Sequence, residues 1–210
     1  MTLDPFLILE PDDTDDFVLA DVEPPRKLYH CPFRIIACVN EGIPYRFTGL
    51  TTDKGDGELP ILVDVVRKPL YSMGRRTIEL KEKRFVKGLA DYTIEGLEEE
   101  IQIERKSLED LYGTLGGRRD DFEAEIARIN LCKFAAVVIE SGWDEILLNP
   151  PSHSRLNPKT VSRTIQSWSI CYPNVHWFTL AGRQHAEIFT FRLLEMFWRQ
   201  RQHGTTHDAT

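Results

Sequence analysis

The run Glu104-Arg105-Lys106-Ser107-Leu108-Glu109-Asp110, with Asp91 thirteen residues before its first acid, carries the residue types that metal-dependent phosphodiester cleavage requires. Carboxylate oxygens hold a hard divalent cation, and a lysine beside them orients or polarises the water that attacks a phosphate. The elements that must position these groups are legible around them. Glu100, Gln102, Glu104 and Lys106 alternate with Ile101, Ile103 and Arg105. A period of two predicts a strand with one polar face. Asp91-Tyr92-Thr93-Ile94 is β-prone, and Glu95-Gly96-Leu97-Glu98-Glu99 reads as the turn between the two strands. A hairpin centred between Leu97 and Glu98 opposes residues whose numbers sum to 195, which sets Asp91 against Glu104. Side chains opposed in this way lie about 5 Å apart at Cβ, close enough to share one ion. A slip of one residue would separate them.

Each piece also has a purely structural reading. An alternating strand bearing Glu and Lys fits a solvated sheet face. Ser107-x-x-Asp110 fits a capping box that opens a helix over 108–115, whose Leu108, Leu111, Tyr112 and Leu115 form an apolar stripe. Asp110 can serve as cap and as a carboxylate orienting a metal ligand at once.

At 210 residues the chain suits one domain with a full core. Residues 29–202 are expected as that domain, with a basic insertion at 67–88, an acidic disordered leader at 1–28 and a polar tail at 203–210. No apolar run approaches membrane-spanning length, and the N-terminus is acidic where a signal peptide would be basic. A cytoplasmic protein with no membrane partner is the expectation. Cys31, Cys38, Cys132 and Cys171 show no paired zinc-ligand spacing and read as reduced, mostly buried thiols. The six histidines form no metal-binding pattern.

The net charge of −7 argues against a nucleic-acid partner until its distribution is considered. Residues 1–25 hold eight acids and no base, and without them the balance is +1. Residues 67–87 hold eight bases against Glu79 and Glu82, a local +6. That stripe, with Arg75, Arg76, Lys83, Arg84 and Lys87, can contact phosphates; a solvated surface hairpin is the alternative. The acidic leader is placed to shield it.

Along the chain, strands are expected at 33–39, 61–66 (an apolar run typical of a buried strand), 134–140 and 176–180. Helices are expected at 120–130, with Phe122, Ile126 and Ile129 at helical spacing, and at 158–170, where Asn157-Pro158 supplies cap and first turn. A last helix at 182–200 carries Ile188, Phe191, Leu194, Phe197 and Trp198. The alternation predicts an α/β fold with a mixed central sheet flanked by helices.

These residues resemble a known family, the nuclease domain of XPF-type structure-specific endonucleases, in particular short phage- and bacterial-type members. The family shares a restriction-endonuclease-like fold and a G-D … E-R-K-x-x-x-D pattern that binds magnesium or manganese. Glu104-Arg105-Lys106 and Asp110 match that pattern, and Asp91 matches its first Asp, with Ala90 in place of the glycine. Gly117-Arg118 looks like the Gly-Arg after the family's first helix, which marks Arg118 as a DNA-binding candidate. Residues 135–140 look like its apolar strand ending in Glu. The resemblance covers about 33–145, and 150–199 looks like the C-terminal part of the short members. Glu41-Gly42-Ile43-Pro44-Tyr45 looks like the end of the D-x-R-E first strand, but Cys38 and Asn40 stand where its Asp and Arg are expected. Cysteine is a poor ligand for magnesium, and Asp64 on the next strand is a candidate replacement. A second departure is the basic insertion, at about 71–88. The paired helix-hairpin-helix domain of larger members has no counterpart here.

The resemblance implies a magnesium- or manganese-dependent DNA endonuclease acting on branched or flap DNA, with a part in DNA repair. Asp91 and Glu104, helped by Glu41, would ligate metal. Lys106 would position water, Arg105 would brace the site through a carboxylate from the other strand face, and Asp110 would orient a ligand. The alternative is a nuclease-fold subunit that binds DNA or a partner without cutting, motivated by Cys38 and Asn40. A plain structural protein leaves the Asp91–Glu104 pairing to coincidence. Family analogy also suggests a homodimer or a nuclease-family partner subunit. Phe189, Phe191, Phe197 and Trp198 would either supply that interface or fill the chain's own core.

Overall fold

The computed structural model describes residues 27–68 and 90–207, with backbone alone at 204–207. Among the described residues six strands form one sheet in the order β2-β1-β3-β4-β5-β6. They are β1 (Tyr29–Cys38), β2 (Ile61–Lys68), β3 (Tyr92–Ile94), β4 (Ile101–Lys106), β5 (Phe134–Ile139) and β6 (Val175–Thr179). β3 runs antiparallel to β1 and β4, while the pairs β1–β2, β4–β5 and β5–β6 are parallel. Parallel neighbours need crossovers. Helices α1 (Leu108–Gly117) and α2 (Arg119–Ile129) connect β4 to β5; α3 (Trp143–Leu148) and α4 (Pro158–Cys171) connect β5 to β6. Helix α5 (Arg183–His207) follows β6. This is the expected α/β mixed sheet flanked by helices.

The sheet buries both faces. On one, Ile101, Ile103, Ala136 and Val138 pack with Phe191 and Leu194 of α5. On the other, Ala135, Val137 and Ile139 pack with Leu111, Phe122, Ile126 and Trp168 from the crossover helices. β5 touches both layers, which explains its unbroken apolar sequence. Phe191 is buried, and Phe189, Phe197 and Trp198 pack against the same cluster. The aromatic helix thus fills the chain's own core.

Three expectations change. Among the described residues the run at 61–66 is an edge strand, and Leu62 on it is 53% exposed. The polar face of β4 is covered by helices instead of water, with Gln102 at 0% and Glu104 at 4% exposure. The last helix runs to His207, through part of the segment expected as a polar tail; α3 had no periodic signal to announce it. Cys31, Cys38, Cys132 and Cys171 are free thiols, of which Cys38 and Cys132 are buried and Cys171 is exposed. Among the described residues no helix is long and apolar enough to cross a membrane.

Candidate active site

The β3–β4 hairpin turns at Glu95-Gly96, where Leu97 N–H returns to Ile94 O at 2.9 Å. Gly96 sits third in that turn with φ +84°, a conformation that favours glycine. The connection turns again before β4, where Glu100 N–H returns to Leu97 O at 2.9 Å, and the resulting register pairs Tyr92 with Ile103. Their numbers sum to 195, so Asp91, just before β3, stands opposite Glu104.

Asp91, Glu104 and Lys106 line one cleft of about 360 Å³. Asp91 Oδ2 accepts the Arg105 main-chain N–H at 2.9 Å. Lys106 Nζ donates to Glu104 Oε1 at 2.5 Å and lies 4.6 Å from the Phe122 ring centre. Cys38 and Asn40, at the end of β1, line the same cleft, as does Arg118 beyond α1. Cys38 N–H donates to Asp91 O at 2.8 Å, so the first strand's end is stitched directly to the acid.

Helix α2 closes the cleft with Asp121, Glu125 and Arg128, which the sequence reading passed over. The spacing of four and then three residues puts them on one helix face, bordering the apolar stripe Phe122, Ile126 and Ile129. That charged edge along an apolar stripe was the available signal. Arg128 Nε is buried and makes no hydrogen bond.

The charges interact strongly. Burial, and then the charge of Glu104, raise the Asp91 carboxyl well above the usual range; the Arg105 N–H pulls the other way. Burial, and then Glu104, push Glu125 up to about 8. For Lys106, burial disfavours the ammonium, but Glu104, Glu125 and Asp91 outweigh it and hold its pKa above the ordinary value. The crowding of Asp91, Glu104 and Glu125 thus opposes their simultaneous ionisation, although Lys106, Arg118 and Arg128 line the same cleft.

Arg105 projects to the other side of β4, as alternation requires. Its Nε and Nη2 donate to Glu140 Oε1 and Oε2 at 2.7 and 2.8 Å, and its Nη1 to Glu41 Oε1 at 3.2 Å. Arg183, at the start of α5, adds a bond to Glu140 Oε1 at 3.1 Å. Both guanidinium groups lie over the Tyr45 ring, at 5.8 and 4.9 Å. This network ties β1, β4, β5 and α5 behind the cleft.

Other candidates fall elsewhere. Glu41 also accepts the Ile43 N–H at 2.9 Å and is not among the cleft's lining residues. Asp110 is exposed in the capping box: Ser107 Oγ accepts its N–H at 3.1 Å and donates to its carboxylate at 3.0 Å. Asp64 is exposed and accepts from Arg34 Nε at 2.6 Å, away from the cleft, so it does not replace the carboxylate missing at Cys38. Arg75, Arg76, Lys83, Arg84 and Lys87 lie outside the described residues.

Among the described residues no three His, Cys, Asp or Glu side chains gather as a metal cage. Two carboxylates facing one cleft suit magnesium nonetheless, which takes one or two carboxylates and completes its shell with water and phosphate.

No family model and no curated protein matches the sequence. Among solved structures, the chain is similar to XPF from Aeropyrum pernix, at 14% identity over 82% of this chain and 69% of that one, with a TM-score of 0.52. A second structure of that XPF, in complex with DNA, matches at 13% identity over 80% and 66%, with a TM-score of 0.48. At this identity the likeness is one of fold. The mixed sheet described above is thus a restriction-endonuclease-like fold, shared with that XPF structure.

Proposed function

We propose that the chain is a short XPF-type, divalent-metal-dependent DNA endonuclease, working in a reducing cytoplasm on branched or flap DNA. The observation that carries this reading is the convergence of Asp91, Glu104 and Lys106 on one cleft. Asp91 and Glu104 would hold magnesium or manganese. When bound, such an ion acts as a Lewis acid on the scissile phosphate and lowers the pKa of the attacking water. Lys106, held as an ammonium, hydrogen-bonds that water and stabilises charge developing around phosphorus. Arg105 keeps its backbone N–H on Asp91 because Glu140 clamps its side chain. Arg118, exposed at the cleft's edge, contacts the DNA backbone.

The test is cleavage of flap, forked, duplex and single-stranded DNA with manganese. Asp91→Ala and Glu104→Ala are each expected to abolish it. Activity surviving in both variants would refute the assignment.

Cys38 and Asn40 in the cleft support a second reading, a nuclease-fold subunit that binds DNA or a partner without cutting. It predicts DNA binding without cleavage. Tight calorimetric binding of manganese, lost in Asp91→Ala, would count against it.

A further inference from the structure

We infer that a second DNA-backbone surface runs along the far flank of α1 and onto α4, and that it holds the strand of a duplex opposite the one in the cleft. The inference deepens the nuclease reading and rests on it. A groove of about 380 Å³ is lined by Gly113 and Gly116 of α1 and by His153, Ser154 and Arg155 of the loop before α4. At about 100° per residue Gly116 lies nearly opposite Thr114, which lines the cleft, and Gly113 lies about a quarter-turn away from it. α1 is therefore a ridge between cleft and groove. A helix is ~10 Å across, close to the ~12 Å width of the DNA major groove.

Charge favours a phosphate backbone in the groove. Residues 146–186 contain no Asp or Glu, in a chain with 33 acids. Within that stretch Arg155 and, on one exposed stripe of α4, Lys159 and Arg163 are all exposed. None of the three makes an ion pair with any described residue, whereas Arg34, Lys68, Arg105, Lys106, Lys133, Arg183, Arg192 and Arg199 each do. Glu109, a turn before Gly113, is the carboxylate of α1 on this flank.

The glycines supply an independent observation. Glycine inside a helix is disfavoured against alanine, yet a Cβ at Gly113 would meet nothing within 4 Å. The protein's own packing does not require it. Beside Tyr112, which lines the same groove, the two positions without a side chain leave room for another backbone to approach closely.

The experiment follows fluorescence anisotropy of an unbranched DNA duplex through a salt titration, with calcium present to prevent cleavage. The triple variant Arg155→Ala/Lys159→Ala/Arg163→Ala is expected to bind on the order of tenfold more weakly, with a log–log salt slope shallower by roughly 2 to 3 units. Arg155→Lys/Arg163→Lys should keep the wild-type slope. So should Lys133→Ala, which removes a cation paired elsewhere. A triple variant with wild-type thermal unfolding and wild-type slope overturns the inference alone. Wild-type protein that neither binds nor cuts any DNA overturns the nuclease reading with it. Should the triple variant fail to fold, Arg163→Gln alone must shift the slope by about one unit, and an unchanged slope overturns the inference.

Discussion

Arg105 is held from two directions: its guanidinium forks onto Glu140 at 2.7 and 2.8 Å, and its main-chain N–H reaches Asp91 at 2.9 Å. Side chains of both Arg105 and Glu140 are at most 10% exposed. Removing one partner of such a pair strands the other without water. Glu140→Ala should therefore cost ~3–5 kcal/mol in urea unfolding. Arg105→Lys keeps the charge but loses the planar fork, and should cost about half as much. A loss below ~1 kcal/mol in Glu140→Ala would show that Glu41 alone satisfies Arg105.

The hairpin was legible because two short-range signals agreed: alternation along β4, and a glycine-containing connection whose midpoint between Leu97 and Glu98 sets the register. The capping box at Ser107 was legible for the same reason, being local. Burial was not. Gln102 and Glu104 read as a wet face because alternation reports which residues share a side, never what covers that side. The covering helix α2 carries Glu125, whose role depends on a contact with Glu104 across 21 residues of chain. Asp64 illustrates the converse. Its strand is apolar enough to read as buried, but only the sheet order places it at an edge, beside Arg34.

Glu125 makes metal-free protein lose stability as pH rises. Its carboxyl titrates at about 8 when folded against an ordinary 4.5, burial being the main cause. Between those values the native state binds the proton that the unfolded chain has released. Unfolding free energy then falls with pH across the window, by up to ~1.4 kcal/mol per unit, and levels off above it. Glu125→Gln should flatten this dependence and be more stable than wild type at pH 8.5. Parallel pH profiles of the two proteins in EDTA would exclude Glu125 as the source.

Asp110 and Ser107 should act as a cap. Ser107→Ala removes the acceptor for the Asp110 N–H and should cost ~1 kcal/mol. Asp110→Ala should cost no more than that, and both variants should bind manganese as wild type does. A calorimetric affinity reduced tenfold in Asp110→Ala alone would instead give that carboxylate a role in orienting a metal ligand.

Cys38 is the most informative position to change. It is 4% exposed, its N–H bonds to Asp91 O at 2.8 Å, and it lines the cleft. Cys38→Asp places a third carboxylate beside Asp91 and Glu104, where burial and like charge both oppose ionisation. Without metal the variant should lose ~2 kcal/mol of stability at pH 8. With manganese the same charge becomes a hard oxygen ligand, so affinity should rise on the order of tenfold and the thermal shift on adding metal should exceed that of wild type. Cleavage should rise with it. A folded Cys38→Asp protein with wild-type manganese affinity would mean that the cation does not sit between β1 and β3, and would move the proposed centre away from Asp91.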